Sequence, residues 1–342
     1  MLDLFTDSWA SAIWDVIGPM LPTLCAIVVL AFAARIAWSC GVISFAPIAI
    51  AAVSGILAAN LLVAGAGLAL ALLCAAIVGF WLGMVVALLL GGLPPHAQTF
   101  ASLAMATLIG PVARGFPGWT GGNDGISIAA IIPPGGTTAA LVSLGLLGTV
   151  VVAGSALDRS WFSIAARAVR HSAALASAMG VQPRALQSLG FGMSGLLAGL
   201  GGALLVLAAG IAAPATFPLS TGLVALAAAL VGGAFHWSGP ILGSLIFALP
   251  SALLGPDNSG ALDIANAVVV VLLLIFLPRG LIDPRDNLRR EARERRQQRR
   301  AAHFVAPPIN DSPRRRGSRH GQQSGHASRL NAAIKRRTGG TP

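Results

Sequence analysis

Residues 66–90 read AGLALALLCAAIVGFWLGMVVALLL, twenty-five positions without one charged side chain. At 1.5 Å per residue, a helix of about 20 apolar residues crosses the ~30 Å hydrocarbon core of a bilayer. This run is long enough to do so. Working outward from it, breaks at Gly, Pro and polar clusters divide the chain into about nine comparable segments. They lie near 20–36, 41–62, 66–90, 97–114, 138–156, 186–210, 219–235, 238–254 and 262–278. The seventh and eighth are short and separated by Gly239-Pro240. Their residues leave open a re-entrant pair or two tilted helices, so eight to ten spans are expected. The expected fold class is all-α: a polytopic transmembrane helical bundle.

Composition agrees. Hydrophobic residues make up 55% of the 342 positions, charged residues 10%, and the mean hydropathy is +0.78. A soluble domain needs about 25% charged residues to cover its surface, so most of this surface must face lipid. The charge is unevenly placed. Residues 1–278 carry six Arg and seven acids, whereas 279–342 carry seventeen Lys+Arg and five acids. The net charge of +11 therefore belongs to a tail, and reading the chain as a nucleic-acid binder would be a mistake. The division expected is a transmembrane permease domain over 1–282 and a basic, largely disordered cytoplasmic tail over 283–342. Within that tail, Arg285–Arg300 has the composition of a charged helix, and contact with anionic headgroups is one reading of it.

Orientation follows from positive charge, which favours the cytoplasmic side of short loops. Arg159, Arg167, Arg170 and Arg184 make Asp158–Gln187 the one basic interior loop. With that loop inside, nine spans put Arg35 and the tail inside and the acidic N-terminus outside, leaving only Arg114 misplaced. Asp3, Asp7 and Asp15, with no basic residue near them, do not make the n-region of a cleavable signal peptide.

Several chemistries are missing from the sequence. Proton- or sodium-coupled carriers bury ionisable groups at mid-membrane, whereas here Arg35, Asp263 and Arg279 fall at span ends. A P-loop needs a lysine after its glycines, and the sole lysine is Lys335, in the tail. Cys25, Cys40 and Cys74 lie in or beside apolar runs without metal-ligand spacing. No metal, resident cofactor or catalytic constellation is expected, so the chain reads as a non-enzyme. A pore without its own energy-coupling groups is either a channel or one subunit of a machine whose motor is another chain.

Four stretches decide between these. Ser160–Arg170 reads SWFSIAARAVR and is followed by Ala178-Met179-Gly180-Val181. Thr120–Ile126 reads TGGNDGI, with Gly121, Gly122, Asn123, Asp124 and Gly125 in succession. Gly232–Gly243 reads GGAFHWSGPILG, with Gly232, Gly233, Gly239, Pro240 and Gly243 as its small or helix-breaking positions. Leu277–Ile282 reads LPRGLI. A weaker stretch is Gly41–Ala46. Gly195-xxx-Gly199 and Ala198-xxx-Gly202 add the small-residue spacing of closely packed membrane helices.

Together these stretches resemble the LivM-type permeases of the high-affinity branched-chain amino acid transporters. The resemblance implies an ABC importer permease in the inner membrane, one half of a heterodimer with a LivH-like second permease subunit. Two cytoplasmic ATP-binding subunits, which hold the ATP, and an extracytoplasmic substrate-binding protein would complete it. In that family the basic loop carries a short coupling helix that docks on the ATPase. Arg167 and Arg170 are then the contact residues, Gly180 ends the helix, and Gly121–Gly125 lie near the external entrance. No substrate-binding residue is assigned. Departures from the pattern at Ala173, Ser177, Phe235 and Ala46 weaken any restriction to leucine, isoleucine or valine. The same machine for urea, short amides or a simple sugar is one rival, and a stand-alone channel or secondary carrier is another.

Overall fold

Proline and glycine set the helix boundaries. The computed structural model describes residues 2–178, 180–233, 237–254, 264–266, 268, 269 and 272. Helix α1 is Leu2–Ser39, α2 is Ala46–Val63, α3 is Leu68–Leu90 and α4 is Pro95–Gly115. The one-turn α5 (Pro117–Thr120) leads into strand β1 (Ile126–Ser127), and α6 (Thr137–Arg159) follows. Next come α7 (Trp161–His171), α8 (Ala173–Ala178) and α9 (Pro183–Ala209). Strand β2 (Ile211–Ala212) and a 3-10 turn at Pro214–Thr216 lead to α10 (Leu219–Gly232) and α11 (Gly239–Leu254). Helices α2, α4, α5 and α9 all begin with proline in the first turn, where its missing N–H costs nothing. Helix α9 ends at Gly210, whose φ of +70° suits glycine alone without strain.

Eight of the nine expected segments coincide with helices; the ninth, 262–278, lies largely outside the described residues. Among the described residues six stretches are long and apolar enough to cross a membrane: Met20–Ser39, Ala46–Val63, Leu68–Leu90, Thr137–Arg159, Pro183–Ala209 and Pro214–Gly232. Helix α4 falls short because His96, Gln98, Thr99 and Arg114 dilute it, and α11 has 16 residues. Two hydrogen bonds fasten α4 to the turn before α2: Phe45 N donates to Ser102 Oγ (3.0 Å) and Thr99 Oγ1 to Ile43 O (2.8 Å). The first span, Met20–Ser39, starts where it was expected, but the helix that carries it is longer. Helix α1 starts at Leu2 and runs through Gly18-Pro19, a pair tolerated in apolar helices when neighbouring groups satisfy the freed carbonyl.

Helix α9 forms the centre and packs on α3, α1 and α2. Glycine makes this possible. A Cβ at Gly195 or Gly199 would overlap the carbonyls of Gly79 and Ala75 on α3, and one at Gly202 would overlap Ala51 on α2. From the other side, Gly79 and Gly83 meet the carbonyls of Gly195 and Phe191. Backbones in such contact gain dispersion along their whole length, which matters where lipid removes the hydrophobic drive between helices. Ser194 Oγ adds an interhelical hydrogen bond to Ala33 O on α1 (2.7 Å).

Helices α10 and α11 form an antiparallel pair. Gly232 lies against Gly239, and Gly243 against Ala228, with no room for a side chain at any of the three glycines. Gly233 turns the chain at φ +103°, and Pro240 sits in the first turn of α11. At 14 residues α10 is ~21 Å long, less than the ~30 Å of hydrocarbon. It does not begin at the surface. Phe217 packs against Gly55, halfway along α2, and Gly222 packs against Ile48 near the start of α2. The chain leaving α9 therefore folds back into the bundle through β2 and the 3-10 turn before α10 starts.

Candidate functional site

Helix α7 is amphipathic by construction. Phe162, Ala165, Ala166 and Val169 recur at i, i+3, i+4 and i+7, and all four are buried. They pack on Ile36 and Cys40 at the end of α1, on Ala176 of α8 and on Leu186 at the start of α9. Gly190 of α9 leaves the space that Cys40 and Phe162 fill. Among the described residues nothing covers the opposite face: Trp161 is 66% exposed, Ile164 62%, and Arg167 is exposed beside them. An aromatic, a branched aliphatic and an arginine on one outward helix face make a docking surface in chemical terms.

Two charged contacts tie α7 and the end of α6 just before it to α1. Arg35, buried in the last turns of α1, forms an ion pair with Asp158 at the end of α6. Arg170 lies over the Trp38 ring, its guanidinium carbon 4.8 Å from the centroid. Burial lowers the Arg170 pKa from its ordinary value. Arg35, Asp158, Ser39, Ser163, Arg167 and Arg170 surround a small cavity of about 30 Å³ between α1, α6 and α7.

The expected residues thus have different positions. Arg167 faces out, whereas Arg170 is half-buried against Trp38, so the two do not share one free face. Residues three apart on a helix differ by about 60° around its axis, and the edge of the buried stripe falls between them. Gly180 does not end the arginine-bearing helix: α7 stops at His171, and α8 follows before Gly180 turns the chain at φ +83°. The ion pair and the outward Trp161 and Ile164 were missed by the sequence reading. Trp161 and Ile164 had a signal, their spacing outside the buried stripe. Arg35 and Asp158 had none.

At the other end of the bundle, Gly121, Gly122 and Gly125 adopt φ values of +72°, +66° and +71°. Gly125 lies so close to Ala212 and Ala213 that a Cβ there would come within 2.7 Å of either. That approach lets Ile126–Ser127 pair antiparallel with Ile211–Ala212. Asn123 and Asp124 are exposed at the tip of the turn. Asn60 Nδ2 on α2 donates to Trp119 O (2.9 Å), holding the segment to the bundle. Phe235 and His236, and everything from 273 on, including Arg279 and the tail, lie outside the described residues. Among the described residues no group of His, Cys, Asp or Glu is arranged to hold a metal.

Comparison with known families gives one match: the family described as branched-chain amino acid transport system / permease component, over residues 19–277. No curated protein and no solved structure matches the chain.

Proposed function

We propose that this chain, which belongs to the branched-chain amino acid transport permease family, is a LivM-type subunit of an ATP-driven importer in the inner membrane. It carries branched-chain or other small amino acids inward as one half of a pair with a LivH-like permease subunit. An extracytoplasmic binding protein delivers the solute. Two cytoplasmic ATP-binding subunits supply the energy, and ATP is held by them.

The observation that supports this most is α7. It stands between two long apolar helices, buries one face on the ends of α1 and α9, and presents Trp161, Ile164 and Arg167 outward. A helix anchored on the two most central helices of the bundle, with a free docking face, is suited to pass a push from a partner into the spans. Helix α7 takes the role of coupling helix, with Arg167 as the charged contact and Trp161 and Ile164 as its apolar anchors. With the nine spans expected from the sequence, α7 and the basic tail 283–342 lie in the cytoplasm and the N-terminus outside. Gly121–Gly125 then shape the external face, with Asn123 and Asp124 available to the binding protein.

Labelling tests the orientation on which this depends. Ala178→Cys, at an exposed position of α8, is introduced after replacement of Cys25, Cys40 and Cys74. An impermeant maleimide should modify it in inside-out vesicles and not in intact cells. Modification from outside would put α7 beyond the reach of any cytoplasmic ATPase and overturn the proposal.

A further inference from the structure

The Arg35–Asp158 pair calls for an explanation, because buried ion pairs contribute little net stability. Arg35 is buried and Asp158 partly so, and taking charges out of water costs about as much as their attraction returns. Such a pair is directional, however, and breaking it leaves a charge without compensation. It joins residues 123 positions apart, at the junction where α6 passes into α7.

That junction has little else to hold it. Only 22% of the apolar window of α6 is buried, against 72% for α1 and α9, and α6 packs chiefly on α1. The underside of α7 is apolar, and apolar packing is non-directional, so Phe162, Ala165 and Val169 allow α7 to slide on Ile36, Cys40 and Leu186. The two polar contacts do not allow it: the Arg170–Trp38 stack fixes α7 itself on α1, and the ion pair fixes the end of α6, three residues before α7 starts, on the same part of α1. Both reach the same last turns of α1: Arg35 and Trp38 are three residues apart and so are neighbours on one side of the helix.

We infer that Arg35 and Asp158 are positioning residues which, with Arg170 on Trp38, clamp α7 to α1 so that both move as one body. This rests on α7 being the coupling helix. The clamp determines how much of a displacement at Trp161 and Ile164 reaches α1, and through Ser194–Ala33 and Gly201–Leu30 reaches α9.

The test uses two readouts on the assembled transporter. Ser39 and Ser163 both line the cavity between α1 and α7, so Ser39→Cys with Ser163→Cys reports their proximity by cross-linking with a short bifunctional maleimide. The second readout is ATP hydrolysed per solute imported in proteoliposomes. Asp158→Asn should cut cross-linking several-fold and raise ATP consumed per solute roughly tenfold, as expected for a pair with strong mutual coupling. The exchanged pair, Arg35→Asp with Asp158→Arg, should recover both readouts, and a side chain with a merely structural role would not give that recovery. Unchanged cross-linking in Asp158→Asn overturns the clamp. So does lost cross-linking with an unchanged ATP ratio, or an exchanged pair no better than the single variant. If the unaltered protein imports nothing on ATP, the importer reading fails separately, and cross-linking alone then decides whether the pair holds α7 on α1.

Discussion

Gly202→Val is expected to cost about 3 kcal/mol or more of stability, the upper range for forcing methyl groups into a packed core. Position 202 has no space in any direction that matters. A Cβ there would overlap the backbone of Ala51, and the Gly202 carbonyl lies 2.9 Å from where a Cβ on Gly55 would sit. Backbone cannot rotate away as a side chain can, so α2 and α9 would have to separate. Their separation would also release Phe217, which fills the gap beside Gly55 and sets where α10 begins. Gly148→Val on α6 is the control: it is exposed, with nothing within 4 Å of a Cβ. It should change stability by less than about 0.5 kcal/mol. Thermal unfolding of the detergent-solubilised subunit reads both. Equal midpoints for the two variants would mean that α9 is not the tightly packed centre of the bundle.

The second large effect is functional. Trp161→Glu combined with Arg167→Glu should reduce concentrative uptake at least about 30-fold, while membrane insertion stays unchanged. Aromatic and arginine anchors at interface centres each contribute about 2 kcal/mol or more, and 2 kcal/mol is close to 30-fold in affinity. Both residues are exposed, and Arg167 only borders the small cavity between α1, α6 and α7, so the core does not depend on them. Arg170→Glu would be a poorer probe, because it removes the stack on Trp38 and sets a carboxylate in a half-buried place. Uptake of labelled leucine in cells, normalised to the amount of subunit in the membrane, measures the effect. Uptake within twofold of the unaltered protein would remove α7 from the energy path.

The sequence carried some of this plainly and some not at all. Uncharged runs such as 66–90 make helices of spanning length unavoidable, because in lipid each backbone polar group must be satisfied within its own segment. The Gly195/Gly199 spacing announces a close helix contact, but spacing does not say which helix arrives. The answering Gly79 and Gly83 lie more than a hundred residues earlier in a run that reads as uniform apolar helix. A short helix in the basic loop was expected from the family resemblance. The division of labour between Arg167 and Arg170 was not, since it depends on where Trp38 ends up. Arg35 and Asp158 looked like ordinary charges at membrane boundaries. Only the packing of α6 along α1 brings them together. The break between α7 and α8 at Ser172 was also hidden, because Ala-rich sequence continues on both sides of it.

The central claim is that a cytoplasmic ATP-binding subunit sits on the outer face of α7. Its most direct test is photocrosslinking with p-benzoylphenylalanine placed at Ile164, which is exposed, or at Val169, which is buried against α1 and α9. With the partner subunits co-expressed, illumination should join position 164 to the ATP-binding subunit in high yield and leave position 169 joined only within the chain. No cross-link from 164 to an ATP-binding subunit, with the transporter intact and active, would contradict the account.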